Sequence, residues 1–493
     1  MKTNTWAYVL IISSLIIWSC QQKHKEAASE QETVAIKTGA KPNILFIAVD
    51  DLRPELNCYG QTHIISPNID AIADQGIVFK NAYVTVPVCG ASRASLLTGI
   101  HPTPSRFIDY GSRVDKEAAG ITTLPEHFKN NGYYTTSVGK IFHHPDDGLA
   151  SWSDQPVRPD YPNTLAQQEL WRDYQSEENA YTKKDKLPLG AAGPAFEAAD
   201  VADNVYYDGK TADLALKKIE KLAGQEQPFF LGVGFIRPHL PFNAPKKYWD
   251  LYDPEKIRLA TNDSMPDHAP QESWHNYGEL RSYTNIPNDT LPIRDEKALQ
   301  LRHGYYASVS FIDAQIGKII DKLKALGLYE NTHIVLWGDH GWSLGEHTLW
   351  CKQSCFTQAN HAPLIVKRAG DTKGKSTKSL VSFIDIYPTL CELSGLPKPI
   401  HTSGESFVSV LDDPQQEINE YIFWRWQNGE TVKSPDFMLT RYTNEIGDKV
   451  SYMLYDHNAD FEESENIIEK PEYKQAAQQM ISALDGHIKT RDD

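Results

Sequence analysis

Asn43-Ile44-Leu45-Phe46-Ile47-Ala48-Val49-Asp50-Asp51 is a short apolar run closed by two adjacent carboxylates. A run with no polar face predicts a strand covered on both sides, as in a parallel sheet flanked by helices. Similar runs recur at Pro228 to Phe235, His333 to Trp337 and Pro363 to Lys367. Helix signals lie between them. Ser66-Pro67 offers an N-cap and a first-turn proline; Thr123-Leu124-Pro125-Glu126 reads as a capping box, stopped by Asn131-Gly132. From Arg302 to Leu328, apolar residues recur at helical spacing and lead through Gly327 toward the run at His333. The expected fold is α/β, a large mixed but mostly parallel sheet sandwiched by helices.

Open α/β sheets place ligands beyond the C-terminal ends of their strands. Asp50 and Asp51 occupy such an end, and Asp339 and His340 follow His333–Trp337 in the same way. The two pairs would converge on one divalent cation. Mostly oxygen donors favour a hard ion, Ca²⁺ ahead of Mg²⁺.

The 493 residues suffice for two or three domains. With 49 Lys and Arg against 65 Asp and Glu, the net charge is −16. That field excludes general attraction to nucleic acid or anionic lipid, so any anionic ligand needs a local basic pocket. At the N-terminus, Lys2 precedes an apolar run from Trp6 to Trp18, the pattern of a signal peptide. Ile17-Trp18-Ser19-Cys20 resembles a bacterial lipobox, which implies lipidation of Cys20. An ordinary cleaved signal is the alternative. Either way the chain is expected to be exported, to the periplasm or to a cell or outer membrane as a lipid-anchored protein. Residues 1–20 are thus targeting and 21–40 a polar tether, followed by a main domain at 41–413 and a C-terminal subdomain at 414–493.

In the subdomain, Tyr421 to Trp426, Asp436 to Tyr442 and Ser451 to Tyr455 read as antiparallel strands, and Pro471 to Thr490 as a polar helix. The irregular stretch Asp146 to Asp200 is either a substrate-shaping insertion or a decorated surface loop. Apart from Cys20 and Cys89, four cysteines remain, Cys58, Cys351, Cys355 and Cys391, enough for two bridges of unknown pairing. Cys351 and Cys355 with His361 faintly resemble a zinc site but have no fourth partner, which leaves packing or a bridge.

The segment Cys89-Gly90-Ala91-Ser92-Arg93-Ala94-Ser95-Leu96-Leu97-Thr98-Gly99 resembles the signal at which sulfatases have a cysteine oxidised to formylglycine. Asp50-Asp51-Leu52-Arg53-Pro54, Cys58-Tyr59-Gly60, Ser66-Pro67-Asn68-Ile69-Asp70, Gly338-Asp339-His340-Gly341-Trp342 and Leu344-Gly345-Glu346-His347 extend the resemblance. The chain is similar to formylglycine-dependent (type I) sulfatases of the alkaline phosphatase superfamily, specifically the iduronate-2-sulfatase-like group. His340 accords with that group, where many sulfatases have asparagine.

The resemblance implies a nucleophile made from Cys89 by a maturation enzyme, and metal ligands Asp50, Asp51, Cys89, Asp339 and His340. It also implies Arg93, Lys140, His143, His239 and Lys352 around sulfate. Arg93, one helical turn beyond Cys89, would reach back to the diol or the sulfate. The Gly139-to-His143 segment matches a family lysine-histidine pair; spacing alone does not separate His143 from His144, and the resemblance favours His143. His239, in Arg237-Pro238-His239-Leu240-Pro241-Phe242, would stand near the leaving oxygen. His127, His275 and His303 carry no assignment, and Trp342, Glu346 and His347 are candidates to touch sugar. The implied substrate is a sulfated carbohydrate, such as a 2-O-sulfated uronate in a glycosaminoglycan or an algal glycan of the ulvan type. Rival readings are a phosphoester or phosphonate hydrolase of the same superfamily and an inactive glycan-binding lipoprotein.

Overall fold

Seven strands form the main sheet: β1 Asn43–Val49, β2 Ile77–Tyr83, β3 Tyr134–Gly139, β4 Phe229–Phe235, β5 Thr332–Gly338, β6 Leu364–Lys367 and β7 Lys375–Ser382. Their order is β7-β2-β6-β5-β1-β4-β3, and β6 alone runs against the others. The computed structural model describes residues 41–159, 172–181, 191–444 and 450–492. The expected signal, Cys20 and the tether lie outside the described residues, as does part of the Asp146–Asp200 stretch. Among the described residues no helix is long and apolar enough to cross a membrane.

Alternation along β1 divides the core in two. Leu45, Ile47 and Val49 join one apolar cluster, and Ile44, Phe46 and Ala48 the other. The first cluster is covered by α1 (Pro67–Ala73), α4 (Tyr207–Ala223) and α5 (Asp295–Ala325); the second by α2 (Cys89–Thr98), α3 (Leu124–Asn130) and α6 (Ile386–Leu393). Every residue of α2 is buried, so its sequence has no amphipathic stripe to reveal it.

The four strands expected in this sheet are present as β1, β4, β5 and β6. Missed were β2, β3 and β7. β3 and β7 are the edges, where Thr, Ser and Lys are tolerated because one side faces no partner strand. The long helix begins seven residues before Arg302, at Asp295, and ends at Ala325. The capping box at Thr123 forms with Glu126. Ser66 does not cap α1: its hydroxyl meets Asp70, and Asp313 of α5 accepts from the backbone N–H groups of Asn68 and Ile69 instead (3.0 and 2.7 Å).

The C-terminal sheet is an antiparallel meander, β8 Ile422–Trp426, β9 Gly429–Lys433, β10 Phe437–Thr443 and β11 Val450–Asp456, backed by α7 (Lys474–Asp492). Its other face meets Tyr83, Leu349, Cys355, Phe356 and Leu380 of the main body. The strand β9 was not foreseen. Cys58, Cys351, Cys355 and Cys391 are separate thiols. The zinc reading fails because His361 Nε2 is engaged by the Lys80 carbonyl at 2.8 Å, and Cys351 and Cys355 pack into different clusters.

Candidate active site

Parallel pairing in register brings the two acidic segments together. Val49 lies beside Gly338, so the residues that follow emerge side by side. The Asp51 N–H donates to Asp339 Oδ1 at 2.9 Å, and the Asp339 N–H to the Val49 carbonyl at 3.3 Å. Asp51 turns with φ 59°, a conformation a non-glycine residue holds only when its surroundings demand it. The other two contributing strands are β3, which ends at Gly139-Lys140, and β4, which leads to His239. Gly139 has φ 76°, and a Cβ there would lie 2.0 Å from the Gly234 carbonyl oxygen, so only glycine fits.

Cys89 is the first residue of α2, and no side chain caps that helix. Its Sγ lies 3.2 Å from His340 Nε2 and 3.8 Å from Asp51 Oδ1, all three groups buried. Ligand atoms of Asp50, Asp51, Cys89 and His340 fall within 4.8 Å of one another. Asp339 sits just outside this cluster, its Oδ1 3.6 Å from His340 Nε2.

Arg93 is placed differently from the expectation. Its guanidinium is fully buried beneath the carboxylates, 2.8 Å from Asp339 Oδ2 and 3.2 Å from Asp50 Oδ1, and donates to the Lys140 and Ile141 carbonyls. It therefore holds the acidic groups in place rather than facing the cavity.

The cavity above Cys89 has a volume of about 560 Å³, the size of a pocket for a small ligand. Lys140, His143, His239 and Lys352 line it together with Asp50 and Cys89; His144 does not. Lys140 Nζ is 2.5 Å from Asp50 Oδ2, and Lys352 Nζ lies 3.0 Å from Asp51 Oδ1. The His239 loop is fixed from behind, where the Asp208 carboxylate accepts from the Ile236 and Arg237 N–H groups at 2.7 and 3.1 Å. His239 Nδ1 contacts the Leu240 carbonyl at 2.6 Å, which turns Nε2 toward Glu279 Oε1 at 3.2 Å. Burial, followed by the charge of Lys352, pushes the His239 pKa well below the ordinary histidine value; burial and Lys140 do the same to His143.

Of the charged residues that line the cavity, Arg158, Arg172 and Glu279 carried no sequence signal. Glu279 bridges His239 and Lys352, the latter at 3.1 Å, from the short helix Gly278–Arg281. Its surroundings are irregular and polar, and no spacing marks it out. Trp342, Glu346 and His347 are buried and line no part of the cavity; Glu346 pairs with Arg53 at 2.9 Å. His127 and His303 contact the carbonyls of Pro397 and Trp249.

The donor set fits a divalent cation. Burial would raise the Asp50 pKa, yet Lys140 and Arg93 hold its carboxyl well below the usual range. Burial instead drives the Asp51 carboxyl well above that range, with Lys352 pulling the other way. Two buried carboxylates, one incompletely compensated by protein cations, form a site that a metal ion would neutralise. Burial also pushes the Cys89 thiol up to about 12, so an unmodified cysteine here is a poor nucleophile at neutral pH.

Comparison with known proteins accords with this geometry. The family model "Sulfatase" matches residues 42–396, and "N-sulphoglucosamine sulphohydrolase, C-terminal" matches 345–490. The chain belongs to the sulfatase family and is a sulfuric ester hydrolase. Within the family it is iduronate-2-sulfatase-like. It is 33% identical to the iduronate 2-sulfatase of Mus musculus over 85% of this chain and 79% of that protein. With the iduronate 2-sulfatase of Homo sapiens it shares 34% identity over 76% and 73% of the two chains. In fold it is similar to the phosphonate monoester hydrolase of Agrobacterium radiobacter, with a TM-score of 0.72, 22% identity and coverage of 92% and 96%.

Proposed function

We propose that the protein is an exported carbohydrate sulfatase that removes sulfate esters from glycan fragments, with a 2-O-sulfated uronate as the leading candidate. The observation that carries this is the position of Cys89, beside His340 and Asp51 at the floor of a cavity that Lys140 and Lys352 also line. Such a pocket provides the local positive charge that a chain of net charge −16 needs to hold an anion. The two iduronate 2-sulfatases supply the substrate class, and the Met1-to-Cys20 pattern supplies the export assignment.

Asp50, Asp51, Asp339 and His340 would hold a calcium ion, which on binding supplies Lewis-acid polarisation of the sulfate. Residue 89, oxidised to formylglycine and hydrated, supplies a hydroxyl nucleophile at the N-terminus of α2. Lys140 and Lys352 bind sulfate oxygens and stabilise charge that grows as the ester bond breaks. His239, with Nδ1 fixed on the Leu240 carbonyl and Nε2 turned into the cavity, is the candidate to protonate the departing sugar oxygen. His143, which lines the same cavity and whose buried Nδ1 makes no hydrogen bond among the described residues, is the candidate to take a proton from the hydrated residue 89.

Two measurements test the reading. Protein co-expressed with a maturation enzyme is digested, and the peptide holding residue 89 is weighed. Formylglycine is expected; a free thiol in material that still releases sulfate would remove the nucleophile. Rates on a 2-O-sulfated uronate disaccharide and its phosphate counterpart are then compared. A faster phosphate reaction would move the protein to the phosphoester hydrolases, and no turnover of either would favour a glycan-binding role.

A further inference from the structure

Lys352 enters the catalytic cavity from a segment of unfavourable backbone. Both of its neighbours are left-handed, Cys351 with φ 70° and Gln353 with φ 75°. Non-glycine residues keep that conformation only where the surroundings over-determine it. Three contacts just beyond the lysine do so. The Gln353 N–H donates to the Pro87 carbonyl at 3.2 Å, two residues before Cys89. Trp424 Nε1 donates to the Cys355 carbonyl at 3.1 Å. The Thr357 N–H donates to Glu463 Oε2 at 3.2 Å. Two of the three partners, Trp424 and Glu463, belong to the C-terminal subdomain.

The same subdomain also holds the approach to the nucleophile. Strand β8 is an edge of its sheet, and an edge strand has backbone groups left over for other partners. The Arg425 N–H is one of them, and it donates to the Thr85 carbonyl at 3.0 Å. Thr85 is tied in turn to α2, its Oγ1 lying 2.8 Å from Ser95 Oγ. Adjacent residues of β8 thus grip two different segments: Arg425 the one that leads into Cys89, and Trp424 the one that follows Lys352. The fit leaves little play. Trp424 is buried and its ring stacks on Tyr83, with centroids 5.5 Å apart and planes 6° from parallel. At the start of β9, a Cβ on Gly429 would stand 2.7 Å from Cys355 Sγ.

Given Lys352 as a sulfate-binding group under the proposed function, we propose that β8 is a brace that sets the spacing between residue 89 and Lys352, with Trp424 as the positioning residue for the lysine. Both ends of the braced span line the same cavity. A sulfate ester must meet the nucleophile and the ammonium at once. A shift of the Lys352 segment therefore costs catalysis without removing any group that touches the substrate. The C-terminal sheet is then part of the geometry of the reaction as well as a cover for the main body.

The test uses full-length, matured, calcium-loaded protein. Trp424→Phe keeps an aromatic ring beside Tyr83 and removes the N–H donor. Gly429→Ala, which crowds Cys355 while leaving the indole in place, answers the same question should Trp424→Phe fail to fold. The readouts are binding of inorganic sulfate by calorimetry, kcat/KM on 4-nitrophenyl sulfate, and Tm. The expected result is a fall of about tenfold or more in both sulfate affinity and kcat/KM. In a Lys352→Ala background the same change should cost less than about twofold, because the group it positions is gone. A lower Tm with sulfate affinity and kcat/KM unchanged would leave β8 a purely structural role and overturn the brace. Losses that persist in full without Lys352 would overturn it too. Neither probe carries a sugar, and sulfate binding needs no turnover, so the brace is judged even if no glycan is cleaved. The glycan reading fails separately, when 2-O-sulfated uronates are left intact by a protein whose sulfate binding responds as expected.

Discussion

Arg93 Nε lies 2.8 Å from Asp339 Oδ2, an ion pair with neither side chain exposed, formed across 246 residues of sequence. A motif position next to the nucleophile thus serves the opposite wall of the site. Arg93 also reaches Asp50, so one guanidinium ties the end of β1 to the end of β5. Removing it leaves Asp339 buried without its guanidinium partner and Asp50 with Lys140 alone.

Arg93→Ala is accordingly expected to lose stability as well as activity. Breaking a buried pair from one side costs about 3–5 kcal/mol. Denaturant unfolding with calcium present should show a loss of that order, and Arg93→Lys should recover only part of it because lysine lacks the two-pronged geometry. Wild-type stability with lost turnover would instead assign Arg93 to the substrate.

Metal removal should act on stability and catalysis together. A bound ion stabilises the folded form by about 2.7 kcal/mol at a free concentration one hundred times its Kd. Chelation should lower Tm and abolish sulfate release, with calcium restoring both. Full activity after exhaustive chelation would refute the metal site.

His239→Ala should discriminate between leaving groups. A positioned proton donor contributes about 10²- to 10⁴-fold. That loss is expected on sugar sulfates, whose alkoxide leaves poorly, and a far smaller one on 4-nitrophenyl sulfate. Equal losses on both would remove His239 from the proton-donor role.

Acid should loosen the C-terminal helix. His487 stacks on Phe423 at 3.8 Å and meets His101 edge-on at 4.5 Å. Burial, then the neighbouring charges of Arg491 and Arg106, holds His101 down to about 4; burial, then His101 and Arg491, holds His487 down to about 2. Both rings stay neutral when folded but gain protons near pH 6.5 when unfolded. Stability is therefore complete above pH 6.5 and falls as pH drops below it, by up to about 1.4 kcal/mol per pH unit for each ring. His487→Phe should reduce the fall in Tm between pH 7 and pH 5; an unchanged fall would place the acid sensitivity elsewhere.

Much of this was legible in the chain. The strands β1, β4 and β5 announce themselves because burial on both faces forces a continuous apolar run, and the residues after each run mark the ligand-binding ends. The edge strands β3 and β7 were illegible because an edge imposes no such demand. Glu279 was missed for a related reason: a four-residue helix in a polar stretch has no period to read.

The amino-acid sequence by itself determined the α/β class, the nucleophile motif and the two acidic strand ends, because each is written in local pattern and short spacing. Only the tertiary structure decided that Arg93 turns away from the cavity, that Glu279 joins Lys352 to His239, and that the C-terminal sheet grips the segment after Lys352. These relations join residues far apart in the chain. They depend on strand order, register and loop paths, which no local pattern encodes.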